Sequence, residues 1–281
     1  MFAYALEKTK IPQRNLPASQ IMPSWCDFAD DSTQTLHLEQ YEAKDTSLTE
    51  SLLLPTQDDL PSSDGVPMET EQHRLQMELL INSLKPWLYQ SDKGYVSGNM
   101  FVYFSPNQVK DEDFKGPDVF VVLGVSNQVR QSWVVWEEGK SPDIVIELLS
   151  KTTAKKDKGQ KKQIYQDKLK VPEYYWFDPH NCDDWAGFEL DKQSGIYKPV
   201  MADAQNRLVS RSLGLGLTRW HGVYEGVTTT WLRWETLTGE LLPTPQEVRD
   251  RETERANIAE QRAERLAQLL REQGIDPDRL G

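Results

Sequence analysis

Two acidic residues of the chain lie inside or near the start of apolar segments. Glu147 lies within the run 142–150, and Asp118 lies near the start of the run 117–125. An ionised carboxylate in an apolar strand is costly unless it is paired or bound to a metal ion. Because carboxylate oxygens favour magnesium or manganese, we predict that Asp118 and Glu147 converge on one sheet edge and hold Mg²⁺ or Mn²⁺.

A lysine-rich segment follows the Glu147 run. Residues 151–170 contain eight Lys and two Asp, which gives a local charge of +6. A divalent ion polarises a phosphodiester and lowers the pKa of a bound water, and a nearby ammonium group adds charge for the transition state. Lys161 is the candidate for that group. Four further lysines are predicted to hold backbone phosphates of DNA: Lys155, Lys156, Lys158 and Lys162.

A simpler interpretation of the same residues stays open. Asp118 then caps a turn, and Glu147 pairs with a basic residue of the core. Lysines on a helix are usually solvated, so each one individually is a weak candidate for catalysis. Asp157 either caps or orients the lysine helix, or it is a solvated acid.

The net charge of the chain, −12, opposes binding to nucleic acid, since that binding draws on Lys and Arg. However, residues 1–70 contain twelve acidic and four basic residues and carry −8, so the remainder carries only −4.

The two cysteines, Cys26 and Cys182, have no metal-ligand spacing, which argues against a disulfide framework or a zinc site. Lys8 and Lys10 interrupt the stretch that a signal peptide keeps apolar, so we expect a cytoplasmic protein without a membrane partner.

The order of the predicted elements indicates an α/β fold. A helix over about 68–88 is followed by strands in four runs, a lysine helix and a further strand, with hairpins and edge strands over 184–235. The strand runs are 98–106, 117–125, 132–139 and 142–150, the helix covers 154–169, and the further strand is 173–179. Strands on either side of a crossover helix imply a parallel pair with a right-handed connection. Fully apolar strands imply a sheet that is covered on both faces.

Three segments are predicted along the chain. Residues 1–58 form an acidic extension with little structure of its own, 59–240 form the main domain, and 241–281 form a helical tail. In the tail an apolar residue recurs at a spacing of 3,4,3,4, which is typical of a coiled-coil seam: Ala256, Ala259, Ala263, Leu266 and Leu270. The seam spans only about two heptads, so a solvated charged helix is the alternative. A coiled coil would make the protein a homodimer.

The stretch 142–179 resembles the signature of the Uma2 family of predicted bacterial restriction endonucleases. That pattern has a strand acid followed by Leu and Ser, a Thr, Asp and Lys four residues apart, a Tyr, and then Pro-Glu-Tyr, a Trp and Asp-Pro. The matching positions here are Ser150, Thr153, Asp157, Lys161, Tyr165, Pro172, Glu173, Tyr174, Trp176 and Asp178. The similarity extends over about 60–235.

The resemblance implies the PD-(D/E)XK nuclease superfold, with a restriction-endonuclease-like αβββαβ core and a mixed sheet, which agrees with the order of elements above. Asp118 fits the first catalytic aspartate. The superfold usually keeps its lysine two residues after the strand acid, but Leu149 occupies that position here. The family pattern implies that the lysine has moved to Lys161. Tyr165 one helical turn later supports this choice, and Lys162 is then expected to face solvent.

Relatives in the superfold often add an acid from the first helix. Glu69, Glu71 and His73 open that helix here and are predicted accessory residues, together with Asp157. His73 is equally consistent with a buried histidine whose hydrogen bonds are satisfied.

These observations lead to two hypotheses. The first is a magnesium-dependent endonuclease that hydrolyses phosphodiester bonds of DNA. The second is a catalytically silent protein of the same fold that acts in regulation or assembly through its helical tail. Neither a helix-turn-helix nor a zinc finger is present, so sequence specificity, strand state and DNA versus RNA stay open.

Overall fold

The computed structural model describes residues 54–62, 70–90, 93–105, 114–274 and 276. The chain divides into two units, Met1–Ser51 and Leu52–Gly281, and all described residues belong to the second. The predicted extension therefore lies outside the described residues except for its last five positions. There the carbonyl of Pro55 accepts a hydrogen bond from Trp136 Nε1 at 2.9 Å. The predicted domain boundaries stay predictions.

The described part of the chain contains five α-helical, two π-helical and twelve β elements. In chain order they are α1 (Glu71–Gln90), β1 (Gly94–Ser97), β2 (Val102–Tyr103), β3 (Phe114–Lys115), β4 (Val119–Leu123), β5 (Trp133–Val134), α2 (Val135–Glu138), β6 (Ile144–Leu148), α3 (Ala154–Lys156), π1 (Asp157–Lys161), α4 (Lys162–Ile164), π2 (Tyr165–Leu169), β7 (Glu173–Phe177), β8 (Trp185–Leu190), β9 (Tyr197–Val200), β10 (Leu208–Ser210), β11 (Leu215–Tyr224), β12 (Val227–Thr236) and α5 (Pro245–Glu272). The lysine helix is the continuous helical segment from α3 to π2.

The central sheet has six strands in the order β1-β4-β6-β7-β8-β9. Strands β6 and β7 are parallel, and the lysine helix connects them, as the order of elements predicts. The other neighbours in this sheet are antiparallel. The mixed α/β fold is therefore the restriction-endonuclease-like fold that the sequence predicts.

Both faces of the central sheet are covered, which is why its middle strands are apolar throughout. Alternate residues of each strand point to opposite faces. One face packs Val119, Val121 and Ile146 against α1 and the sheet β10-β11-β12. The other face packs Phe120 and Val145 with residues of the lysine helix and of β2 and β5. Glu147 lies two positions after Val145 and so belongs to the face that the lysine helix covers.

The short strands differ from the predicted runs. The run 98–106 contributes only β2, because Asn99 adopts a φ of 49° and its N–H turns to the carbonyl of Pro117. The run 132–139 is a two-residue strand followed by a single helical turn, which ends at Gly139 with a φ of 69°. Alternating apolar residues did not reveal these interruptions, because both depend on turns that the neighbouring segments impose.

The tail helix α5 begins at a capping box. The Thr244 hydroxyl accepts from the backbone N–H of Glu247, and the Glu247 carboxylate accepts from the backbone N–H of Thr244. Arg233 of β12 also pairs with Glu247 at 2.7 Å, which anchors the first turn to the domain. Beyond this turn the helix residues are exposed or, at two positions, half-buried. Among the described residues no helix has the length and apolar character needed to span a membrane.

The side chain of Gln76 joins α1 to β12. Its Nε2 donates to the carbonyl of Leu232 at 2.9 Å, and its Oε1 accepts from the N–H of the same residue at 2.9 Å. The Gln76 side chain is fully buried, so no water replaces these bonds.

We predict that Gln76→Ala lowers the free energy of unfolding by about 2 kcal/mol, because two buried backbone groups lose their partners. Urea unfolding followed by circular dichroism measures this change. The exposed Gln261→Ala serves as the control and should stay within about 0.5 kcal/mol of the parent. Equal effects of the two substitutions would contradict the role of Gln76.

Candidate metal centre

Glu147 is a buried acid with two partners from the lysine helix. Its Oε2 accepts from Lys161 Nζ at 3.0 Å, and its Oε1 accepts from the hydroxyl of Tyr165 at 2.8 Å. The side chain is fully inaccessible to solvent. Because Lys161 and Tyr165 are one helical turn apart, their side chains project from the same face of the helix. A single face of the lysine helix thus provides both partners of the strand acid.

Asp118 precedes β4 by one residue. In the antiparallel register of β4 and β6, Val119 lies opposite Ile146, so one step further along Asp118 lies opposite Glu147. The Asp118 Oδ2 accepts from the backbone N–H of Leu148 at 2.7 Å. The position also requires a close approach of the chain, since a Cβ added at Gly98 would lie 1.9 Å from the carbonyl oxygen of Asp118. The two strand acids therefore occupy one edge of the sheet.

Lys161 lies between two acids. Besides Glu147, it forms an ion pair with Asp157 Oδ1 at 2.9 Å, and Asp157 is buried. These two residues begin and end the π-helical segment π1. The carbonyl of Asp157 accepts from the N–H of Lys162 and from the hydroxyl of Tyr174. The wider helical turn thus has a fixed partner in β7, and π-helical turns of this kind are frequent at functional sites.

This cluster contains more carboxyl groups than ammonium groups. The carboxyl groups of Asp118, Glu147 and Asp157 lie around the ammonium group of Lys161. Burial raises the pKa of Glu147 to about 8; the charge of Lys161 acts against that rise, and the charges of Asp118 and Asp157 add to it. For Lys161, burial lowers the pKa, but the charges of Glu147 and the two aspartates outweigh it and raise the net pKa above its ordinary value. The site therefore holds more acidic than basic groups out of water.

His73 is the second partner of Asp118. Its Nε2 lies 3.1 Å from Asp118 Oδ1, and the imidazole is buried at the start of α1. Burial raises the pKa of Asp118, but the hydrogen bond and charge of His73, together with the charge of Lys161, outweigh that effect and hold the net pKa below its ordinary value. The structure therefore brings the histidine to the site by contact with Asp118, which is consistent with either interpretation of its role.

The other predicted accessory residues, Asp157, Glu71 and Glu69, differ in their relation to the acids. Asp157 contacts Lys161 directly, as described above. Glu71 is 78% exposed and lies 3.9 Å from Arg74 on the surface of α1, so its accessory role stays a prediction. Residues two positions apart on a helix point in nearly opposite directions, and among the described residues at the start of α1 it is His73 that contacts Asp118. Glu69 lies outside the described residues.

The four lysines predicted to bind phosphate have different surroundings. Lys158 pairs with the carboxylate of Asp184 and lies near the ring of Trp176. Lys162 does not face solvent as expected: its ammonium group lies 3.3 Å from the ring centroid of Phe188, and burial lowers its pKa. Lys155 is exposed and Lys156 is half-buried. Two of the four are therefore already engaged within the domain.

The donor set fits a divalent cation of the magnesium type. Mg²⁺ is usually held by one or two carboxylates, with waters and substrate phosphate completing its shell. Asp118 and Glu147 supply two carboxylates, and each oxygen keeps a lone pair beyond the hydrogen bond that it accepts. The excess of acids over ammonium groups also favours a cation. Within the described ranges, no group of three or more His, Cys, Asp or Glu side chains is arranged to hold a metal ion.

An open cleft of about 350 Å³ adjoins the acids. It is lined by Thr70, His73, Ser150, Lys151 and His180. Ser150 matches the family pattern, whereas the sequence alone predicts no role for Lys151 or His180. Lys151 follows directly after the Leu-Leu-Ser end of the strand run, and His180 follows Asp-Pro after β7. Their position at the ends of two parallel strands is the signal that would have predicted them.

Comparison with known proteins gives one family and a distant structural neighbour. The model of a family described as "Uma2: Putative restriction endonuclease" matches residues 64–222, more than half of the chain. A crystal structure of a "putative nuclease belonging to DUF820" from Anabaena variabilis is 12% identical, with 57% of this chain and 90% of that chain covered and a TM-score of 0.40. No curated protein gives a significant match.

We predict that Lys161→Met lowers the free energy of unfolding by about 3 kcal/mol or more, because it leaves buried acids without their ammonium partner. Thermal and urea unfolding in EDTA measure the change without a metal ion. Lys158→Met is the matched control. The side chains of Lys158 and its partner Asp184 are each about one-third exposed. The control should therefore lower the free energy of unfolding by less than about 1 kcal/mol. A Lys161 variant as stable as the control would contradict the buried-pair geometry.

Proposed function

Since the chain belongs to the Uma2 family of restriction-endonuclease-like proteins, we propose that it is a metal-dependent endonuclease that hydrolyses phosphodiester bonds of DNA. The observation that carries this proposal is the convergence of Asp118, Glu147 and Lys161 from three separate elements. Membership of a fold does not establish an activity. The side-chain cluster is therefore the stronger support.

In the proposed mechanism, Asp118 and Glu147 would hold Mg²⁺ or Mn²⁺. When bound, such an ion would polarise the scissile phosphate and lower the pKa of a nearby water. Lys161 provides a fixed positive charge beside the acids, where negative charge develops on the phosphate oxygens. Lys155 and Lys156 are proposed to contact more distant backbone phosphates.

Three further residues are proposed to position this machinery. Asp157 holds the Lys161 ammonium group at 2.9 Å, and Tyr165 holds Glu147 at 2.8 Å. His73 fixes the orientation of the Asp118 carboxylate through its Nε2. None of the three needs to touch the substrate, so their substitution should affect the rate less than loss of the acids or the lysine.

Purified protein is expected to nick supercoiled plasmid DNA with Mg²⁺ and to lose this activity in EDTA. Glu147→Gln and Lys161→Met each remove a charged group with little change in volume, and each should lower the rate at least about a hundredfold, by analogy with loss of one transition-state contact. Agarose-gel assays of initial rate measure the effect.

The matched control for the nuclease assay is Asp143→Asn. Asp143 precedes β6 at the other end of the strand, where it accepts from Leu123 N at 2.6 Å and pairs with Lys140. This variant should keep the parental rate. Equal activity in the parent, Glu147→Gln and Lys161→Met would contradict the mechanism.

A second candidate function is an assembly or regulatory role through α5, with the homodimer as its basis. Isolated helices are marginal in water unless a partner covers their apolar face. Leu266 on α5 is 62% exposed, and the seam that contains it continues with Leu270. In a parallel pair of two copies, Arg255 at position g would face Glu260 at position e of the other copy, an opposite-charge contact. These features favour a second copy of the chain as the partner.

We predict that the full chain sediments as a dimer and that Leu266→Asp with Leu270→Asp converts it to a monomer, because two charges then enter the seam. The control carries Gln261→Asp and Gln268→Asp on the opposite face of the helix and should remain dimeric. Analytical ultracentrifugation distinguishes the species. A dimer without Mg²⁺ binding by calorimetry would favour the assembly role, whereas Mg²⁺ binding that is lost in Asp118→Ala would favour the enzyme.

A further inference from the structure

The cleft beside the two strand acids lies at the carboxyl ends of parallel strands. Strand β6 ends at Leu148 and leads into Ser150 and Lys151, while β7 ends at Phe177 and leads to His180. Ligands of open α/β sheets bind at this edge, where loops diverge from neighbouring strands. We call the space lined by Thr70, His73, Ser150, Lys151 and His180 the β6–β7 cleft.

The β6–β7 cleft is continuous with the proposed metal centre through His73. This histidine lines the cleft and also contacts Asp118 Oδ1 at 3.1 Å. The Asp118 side chain is 20% exposed, while Glu147 is fully buried behind it. A substrate would therefore approach the acids from the side on which Asp118 is accessible.

The walls of the cleft are fixed by hydrogen bonds. Gln72 Nε2 donates to the carbonyl of Pro179 at 2.6 Å, which ties the start of α1 to the turn after β7. In that turn, Asp178 Oδ1 accepts from the N–H of His180 at 2.8 Å. On the other wall, the hydroxyl of Ser150 lies 2.9 Å from that of Thr153 and accepts from the Thr153 N–H at 3.1 Å. The polar groups of the cleft thus stand in a preformed arrangement.

The negative charge of the neighbouring acids repels the phosphates of a nucleic acid, so a positive charge is needed nearby, and Lys151 can supply it. A nucleic-acid strand brings negative phosphates toward a cluster in which three carboxyl groups surround the single ammonium group of Lys161. Lys151 is exposed on the rim of the cleft, and among the described residues it forms no ion pair. Lys158 and Lys162, by contrast, already contact Asp184 and Phe188.

We propose that the β6–β7 cleft binds a backbone phosphate of the nucleic-acid substrate through Lys151 and His180, with the hydroxyl groups of Ser150 and Thr70 beside them. The proposal rests on the proposed endonuclease function, because it assigns a phosphate subsite to the same centre. Lys151 provides the charge that attracts the phosphate, and the fixed His180 turn limits where that phosphate lies. The cleft thus gives the strand its position relative to Asp118.

The test measures DNA binding without hydrolysis. A fluorescein-labelled duplex is titrated with full-length protein in EDTA at several salt concentrations, and fluorescence anisotropy gives the affinity. One lost phosphate contact lowers the slope of log K against log salt by about 1. Lys151→Gln is therefore expected to lower the slope by about 1 and to weaken binding severalfold at low salt, and His180→Gln is expected to weaken binding as well.

Lys168→Gln is the matched control, since Lys168 is an exposed lysine near the far end of the lysine helix. It makes the same change in net charge and should leave the slope unaltered. Equal slopes in Lys151→Gln and the parent, or an equal fall in Lys168→Gln, would overturn the proposed subsite. Thermal melting of each variant verifies that it is folded, which the exposure of both lysines leads us to expect.

Failure of the subsite and failure of the proposed function give different results. If the parent binds and nicks DNA while Lys151→Gln binds with the parental slope, only the subsite is wrong. If the parent neither binds nor nicks DNA, the endonuclease proposal fails and the subsite fails with it.

Discussion

The fold is organised around the burial of Glu147 beneath the lysine helix. A carboxylate without solvent is tolerated only if other elements bring donors or cations to it, and here Lys161 and Tyr165 do so from one helical face. This contact fixes how the crossover helix lies on the sheet between β6 and β7. It also explains why the helix contains a π-helical turn that holds Asp157 against Lys161. A solvated helix packed on a fully apolar strand would need no donor or cation at this position.

The same contact determines what the edge of the sheet can do chemically. Once Glu147 is fixed, the antiparallel register of β4 brings Asp118 opposite it, and the N–H of Leu148 and the imidazole of His73 hold the second acid. The group contains more acids than ammonium groups and adjoins an open cleft. Such an excess is unfavourable for stability, because each unpaired buried charge is costly. It is favourable for a site whose cation and substrate arrive from solution, as the proposed endonuclease requires.

Several features were predictable because they depend on chemistry local to the sequence. The apolar runs around Val121 and Ile146 predicted central strands, and a lysine helix between two strands predicted the parallel pair. The family pattern and the one-turn spacing to Tyr165 pointed to Lys161, although neither shows which lysine contacts the acids. The structure separates the lysines by direction: Lys161 faces the acids, whereas Lys158 and Lys162 lie near the rings of Trp176 and Phe188. The direction in which each lysine leaves the helix therefore decides which of them contacts the acids.

By itself the sequence determined the fold class, the family and the two strand acids, because period, apolar run length and residue type are local properties of the chain. Only the tertiary structure decided that His73 rather than Glu71 reaches Asp118, since a difference of two residues on a helix reverses the direction of a side chain. The tertiary structure also decided that Lys151 and His180 line the same β6–β7 cleft. The pairing of β6 with β7 brings these residues together, and their spacing along the chain does not. Contacts between distant segments depend on register and helix rotation, and both are set by the packing of the whole domain.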